Sequence, residues 1–277
     1  MERLTGTAAG VPFVAISPVE SGREERRNAE RPEGVIIAYH LLDAPRTEEA
    51  FSAAVPLDGL NAWRVYLGLP MSGRRLPKGG PDELWRLIQE DAVMNVHRHV
   101  TLGALAEFPK AFAALRDELR IDADAPVGVM GGSMGGAAAQ LVMAEGGVDV
   151  RAAVLINPVV QLRSSIDAIS AMHGTSYRWT DHSAAVADRI DFVRRAGELS
   201  GTAIRFITGA DDMVDAIVEP VGRAVPALRA HDAIVAWDVV PEMGHALADE
   251  PGTDAAPQTP QAREVDRLAT EWFRRHL

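Results

Sequence analysis

Side chains that together move a proton and attack a carbonyl carbon follow one another in this chain. They are a serine set among glycines, then a group of aspartates, then a histidine after a glycine. The serine is Ser133, in Val127-Gly128-Val129-Met130-Gly131-Gly132-Ser133-Met134-Gly135-Gly136-Ala137-Ala138-Ala139. An apolar strand runs into Gly131-x-Ser133-x-Gly135, and a small-residue helix leaves it. A sharp, strained turn of this kind lifts the hydroxyl above the edge of a sheet. Glycines two positions to either side remove side chains that would strike the strand or the helix. The turn also aims a helix N-terminus at the reacting centre, where negative charge develops. Two other glycine-rich readings fail on spacing. A dinucleotide fingerprint requires Gly where Ser133 stands, and a phosphate-binding loop requires Lys where Ala137 stands.

The carboxylates follow the apolar run Ile204 to Thr208, in Gly209-Ala210-Asp211-Asp212-Met213-Val214-Asp215. Asp211 and Asp212, with Asp215 a weaker third, could orient a histidine; the plainer role for them is to cap a helix starting near Val214. The base is His245, in Pro241-Glu242-Met243-Gly244-His245, after the run Ile234 to Val240. Gly244 gives the loop room to turn and point the imidazole back over the sheet. The ring would take the serine proton and return it to the leaving group, while a carboxylate holds it in place. Other histidines fit less well. His231 falls in a helix, and His97 and His99 are two apart on a helix and face different ways, which makes a poor metal pair.

These residues need a scaffold of strands. Apolar, β-branched runs predict strands at Val11 to Ile16, Val35 to Tyr39, Trp63 to Leu67, Val127 to Met130, Ala152 to Ile156, Ile204 to Thr208 and Ile234 to Val240. Most are apolar throughout, as in strands covered on both faces. Helical spacing falls between them, at Thr47 to Val55, Pro81 to Arg98, Leu102 to Leu119, Met134 to Ala144, Ser183 to Leu199, Val218 to His231 and Gln261 to Leu277. Alternating strands and helices imply an α/β fold with a mostly parallel sheet and right-handed crossovers. Ser17 to Glu33, Pro70 to Pro81 and Gly252 to Pro260 read as loops. None of them divides the composition, so one domain is expected.

Composition sets outer limits. The chain has 277 residues, 47% hydrophobic and 24% charged, which is ordinary for a soluble globular protein. With only 5% aromatic residues, the core must be built from Ala, Val, Leu and Ile. The formal charge of -11 disfavours nucleic acid and anionic membranes as partners. The run Arg23-Glu24-Glu25-Arg26-Arg27 reads as a solvated loop. There is no cysteine, which excludes disulfides, thiolate metal sites and a thiol nucleophile. Met1 to Gly6 lack the basic-then-apolar pattern of a signal peptide, and no apolar run is long enough to span a membrane. A cytoplasmic location is expected.

Together the motifs resemble the α/β-hydrolase superfamily, especially its small esterase, dienelactone-hydrolase-like and prolyl-oligopeptidase-like branches. The residues that carry the resemblance are Gly131 to Gly136, Gly209 to Asp212 and Met243 to His245. It implies the α/β-hydrolase fold, with seven to eight strands, helices on both faces and a small cap between Asn157 and Gly201. It implies a serine esterase with Ser133 as nucleophile, His245 as base and Asp212, by its offset from Gly209, as acid. The substrate would be a small-molecule ester and no cofactor is implied. Peptidase, thioesterase and acyltransferase chemistry, or a non-catalytic binding role, are the alternatives, and monomer and homodimer stay open. The oxyanion hole would combine the backbone N–H of Met134 with one from the loop after Tyr39. There the family pattern His-Gly is replaced by His40-Leu41, which leaves the second donor between Leu41 and Leu42, Leu42 being favoured by offset. Both leucines would wall the acyl pocket, and His40 would bond loop backbone. A second wall would come from Trp63 to Pro81. Dienelactone hydrolases themselves use Cys, and dehalogenase relatives place Asp at the elbow, so Ser133 separates this chain from both.

Overall fold

The computed structural model describes residues 2–18 and 34–277. The charged run at Arg23 to Arg27 lies outside the described residues, as does most of the loop expected at Ser17 to Glu33. Among the described residues eight strands form one sheet: β1 (Arg3–Ala8), β2 (Val11–Ile16), β3 (Gly34–Tyr39), β4 (Ala62–Leu67), β5 (Val127–Gly132), β6 (Val150–Ile156), β7 (Ala203–Gly209) and β8 (Val235–Val240). Their spatial order is β1-β2-β4-β3-β5-β6-β7-β8. β2 runs antiparallel to β1 and to β4, and β3 to β8 are parallel to one another.

β1 is the strand that apolar runs do not reveal. Its residues alternate between exposed and half-buried, and Gly6 and two threonines dilute the pattern. A two-residue turn at Ala9 (φ 48°) and Gly10 (φ 92°) pairs it with β2, in the left-handed geometry that suits hairpins.

Among the described residues eight α-helices cover the sheet: α1 (Glu48–Ala54), α2 (Gly80–Asp91), α3 (Arg98–Leu119), α4 (Ser133–Glu145), α5 (Leu162–Met172), α6 (Asp181–Arg189), α7 (Glu219–Arg229) and α8 (Pro260–His276). Alternate strand residues divide between two apolar layers. Val35, Ile37 and Val129 join Phe108 of α3, Leu141 of α4 and Val221 of α7. Ile36, Ala38 and Met130 join Phe51 of α1 and Phe273 of α8. Burial on both faces is why these strands read as continuous apolar runs.

Two expected helices are interrupted. The stretch from Pro81 to Arg98 is α2 followed by a π-helical segment at Ala92–His97, where Asp91 accepts from the Met94 N–H at 3.0 Å and begins a new turn. His97 therefore lies in the π segment and His99 in α3. The stretch from Ser183 to Leu199 is α6 and then a 3₁₀ turn at Ala196–Leu199. α6 starts earlier than expected, because Thr180 and Ser183 form a reciprocal cap. It ends at Arg189, beyond which Asp191 accepts from the Arg194 N–H at 3.1 Å and from Gln161 at 2.9 Å. α7 likewise begins after a π-helical segment at Val214–Val218. Among the described residues, no helix is long and apolar enough to cross a membrane.

β4 lies on one side of β3 and β5 on the other, so the chain reverses its direction of winding between β3 and β5. Open α/β sheets form their ligand crevice at such a point, beyond the carboxyl ends of the strands. Ser133 directly follows β5, and His40 to Leu42 follow β3.

Candidate active site

The elbow is built by close backbone approach. Ser133 has φ 49°, a left-handed conformation that strains any residue with a side chain. A Cβ at Gly131 would lie 2.2 Å from the Gly135 carbonyl oxygen, and one at Gly135 would lie 2.2 Å from the His40 carbonyl oxygen. Only glycine fits either position. Ala137, Ala138 and Ala139 are fully buried and let α4 lie close on the sheet. Val159 donates its N–H to the Ser133 carbonyl at 3.1 Å and pins the turn from the β6 side.

The structure brings Ser133, His245 and Asp212 together. Ser133 Oγ lies 2.8 Å from His245 Nε2. On the other side of the ring, His245 Nδ1 lies 3.0 Å from both carboxylate oxygens of Asp212. That arrangement places a proton on Nδ1 and leaves Nε2 to accept from the serine hydroxyl. The Asp212 side chain is fully buried and also accepts the Met213 N–H at 2.6 Å. Asp211 and Asp215 are exposed. Burial alone lowers the pKa of His245. The bond to Asp212 and the charges of Asp212 and Asp43 outweigh it, and the net shift is upward.

The loop after β3 is organised by His40. Its Nδ1 donates to the Leu41 carbonyl at 2.6 Å, and its Nε2 accepts the Leu69 N–H at 3.0 Å. Both ring nitrogens are thus committed to backbone, as expected for a structural histidine. A trans peptide points its carbonyl and the next N–H in opposite directions. Turning the Leu41 carbonyl onto the His40 ring therefore turns the Leu42 N–H away from it. The Met134 N–H lies in the first turn of α4, where a helix supplies no internal acceptor. The expectation that both leucines wall a pocket needs correction. Leu41 is fully buried against Gly132 and belongs to the core, because β3 ends pointing it inward. Leu42 is half-buried and lines a cavity of about 490 Å³, with Arg74, Leu76, Pro81, Leu84 and Pro251 among its other walls. Ser72, Gly73, Arg74, Leu76 and Pro81, from the stretch Trp63 to Pro81, line this cavity, and Ser133 and His245 do not.

Three comparisons bear on the whole arrangement. No protein-family model matches the sequence, and no curated protein matches it either. Solved structures do. A Thermus thermophilus protein, TT1662, superposes with a TM-score of 0.66 over 99% of this chain and 98% of its own, at 18% identity. The Pyrococcus horikoshii acylaminoacyl peptidase gives 0.66 over 100% of this chain and 41% of its own, at 14% identity. The dienelactone hydrolase of Anabaena variabilis gives 0.55 over 100% and 98%, at 14% identity. The chain has the α/β-hydrolase fold. At these identities the likeness carries architecture and no more.

Within this α/β-hydrolase scaffold, one positioning residue escapes motif reading. Asn157, directly after β6, is fully buried with φ 42°. Its Oδ1 accepts the Gly209 N–H at 2.8 Å, and its Nδ2 donates to the carbonyls of Gly244 at 2.9 Å and His245 at 3.1 Å. It ties the end of β7, which leads to Asp212, to the loop of His245. The available signal was a lone polar residue closing an apolar strand.

The His245 loop is also fastened to the loop after β3. Leu247 donates to the Ala44 carbonyl at 2.9 Å, Arg46 to that of Gly252 at 2.8 Å, and the Thr47 hydroxyl to that of Thr253 at 2.7 Å. The sharp turn lies at Glu242, with φ 55°, and not at Gly244, whose part is to offer its carbonyl to Asn157.

The expected cap segment holds α5 and α6. Its aromatic residues anchor it: Tyr177 donates to Asp91 at 2.5 Å, Trp179 donates to Asp167 at 2.8 Å, and Arg163 lies 4.1 Å over the Trp179 ring. α5 packs on the π segment that follows Asp212, where Ser165 donates to the Ala216 carbonyl at 2.7 Å. Among the described residues, no group of three His, Asp or Glu side chains could hold a metal ion.

Proposed function

We propose that this chain is a serine hydrolase that cleaves small carboxylic esters through an acyl-enzyme. The observation that carries the reading is the continuous hydrogen-bonded path from Ser133 Oγ through His245 to Asp212. Ser133 Oγ bonds to the ester carbonyl carbon as its proton passes to His245 Nε2. The tetrahedral oxyanion is held by the N–H groups of Met134 and Leu42, a term typically worth about 3 kcal/mol per donor. The bond to the alcohol oxygen breaks, and His245 returns the proton to that oxygen. Water then attacks the acyl carbon, His245 takes its proton, and the carboxylic acid leaves as Ser133 regains its hydrogen.

Asp212 holds the imidazole in its tautomer and stabilises the charged ring. One side of the ester is proposed to sit towards the cavity of about 490 Å³, because Leu42 both borders it and is the proposed second oxyanion donor. Residues 157–201 serve as a cap on a single domain, as the packing of α5 next to Asp212 supports. The chain is placed in the cytoplasm, as a monomer or homodimer.

The test is turnover of p-nitrophenyl acetate and butyrate beside an aminoacyl p-nitroanilide, with labelling by a fluorophosphonate. A burst of nitrophenol, lost in Ser133→Ala together with the label, supports the esterase. Faster cleavage of the anilide makes the chain a peptidase. Full activity in Ser133→Ala, or no turnover at all, removes the reading.

A further inference from the structure

His245 Nε2 faces a second carboxylate besides the one that orients the ring. Asp43 Oδ2 lies 3.7 Å from Nε2, on the side where Ser133 Oγ lies at 2.8 Å. Asp43 follows Leu42 in the loop after β3, and its side chain is exposed. Among the described residues its one ion-pair partner is His245. The nearby Arg46 is engaged by Glu250, with both carboxylate oxygens at 2.6 Å. Asp212, buried, meets the opposite nitrogen of the ring.

A leaving-group oxygen must come within about 3.2 Å of Nε2 to receive its proton. It therefore passes within about 7 Å of the Asp43 carboxylate, inside the screening length of physiological salt. No particular substrate pose is needed for this bound, because it follows from the two distances to one nitrogen. A negative charge there attracts a cation on the departing alcohol and repels an anion.

Building on the esterase reading above, we infer that Asp43 sets charge preference on the leaving-group side, favouring esters whose alcohol carries an ammonium group. Asp43 takes no part in bond making. It acts on substrate through its field; its charge also bears on His245, but that changes charged and neutral substrates alike, so the ranking of the two isolates the field.

The test compares acetylcholine with its neutral isostere, 3,3-dimethylbutyl acetate, at low ionic strength. In the wild-type protein the ratio of kcat/KM values favours acetylcholine. Asp43→Asn lowers that ratio by about two- to fivefold, the scale of an exposed charge pair, and Asp43→Lys lowers it further. Added salt shrinks the wild-type preference. Asp211→Asn, which removes an exposed charge outside the hydrogen-bonded path, leaves the ratio unchanged. Because the ratio is taken within each variant, a general loss of activity cancels. A ratio that Asp43→Asn leaves unchanged overturns the inference, as does hydrolysis of p-nitrophenyl butyrate without hydrolysis of acetylcholine. Failure to hydrolyse any ester overturns instead the esterase reading on which it rests.

Discussion

Asn157 donates a hydrogen bond to the carbonyl of His245 at 3.1 Å, across 88 positions of sequence. The same side chain holds the end of β7 through the Gly209 N–H. One buried carboxamide thus sets the spacing between the two loops that carry Asp212 and His245.

Asn157→Ala leaves a buried N–H and two carbonyls without this partner. Groups of that kind cost about 1–3 kcal/mol each when unsatisfied. A loss of about 3 kcal/mol in urea unfolding is expected, with kcat lowered about tenfold on p-nitrophenyl butyrate as His245 loses its fixed position. Wild-type kcat in a variant that has lost this stability would show that the tie is structural only.

Ser133 stores strain at φ 49°. Ser133→Gly relieves it, while Ser133→Ala removes the hydroxyl and keeps it. Both lose esterase activity by about 10⁴-fold or more. The Gly variant is the more stable of the two by about 1 kcal/mol in chemical denaturation. Equal midpoints would mean that the elbow is not strained in solution.

Asp212 and Asp211 are neighbours with opposite surroundings, one buried against His245 and the other exposed. Asp212→Asn is expected to lower kcat by about 10⁴-fold through the wrong imidazole tautomer. Asp211→Asn should stay within about twofold. A reversal of these effects in parallel assays would reassign the acid.

Catalysis requires His245 neutral, and its pKa is shifted upward as the bond to Asp212 and the charges of Asp212 and Asp43 overcome burial. The acid limb of kcat/KM against pH should therefore lie above about 6.5, the ordinary histidine value. A limb near pH 5 in a stopped-flow profile would contradict this electrostatic picture.

His40 shifts the other way, to about 4, because burial disfavours its cation and Arg75 adds to the effect against weaker opposition from Leu41 and Glu48. The unfolded chain keeps a histidine near 6.5, so between the two values it binds more protons than the folded one. Stability is then lost as pH falls from about 6.5 towards 4, by about 3 kcal/mol at most from this residue. His40→Gln should shrink the difference in unfolding free energy between pH 7 and pH 5 by about 2 kcal/mol. His97, half-buried with its imidazole desolvated and also lowered to about 4, supplies part of the slope that remains.

Much of this protein is legible residue by residue. The strands from β2 to β7 announce themselves because their residues are mostly buried, and β8 because even its exposed positions carry Trp237 and Val239; β1 does not, because its exposed positions are Arg3, Thr5 and Thr7. The elbow is legible because a turn this tight at Ser133 tolerates no side chain at Gly131 or Gly135. Helix interruptions at Ala92 and Ile190 were not legible. Apolar spacing continues through them, while the break is made by local side-chain bonds from Asp91 and Asp191.

By itself the sequence determined the order of Ser133, the aspartates and His245, the parallel sheet that carries them and the turn chemistry at Ser133. These are local properties, set by steric limits and by the periodicity of burial. Only the tertiary structure decided which leucine borders the cavity, that Asn157 ties two loops together, and which backbone groups the His40 ring meets. Those outcomes depend on contacts between segments far apart in the chain. A buried polar group must find a partner wherever the fold brings one, and no local pattern records which partner that is.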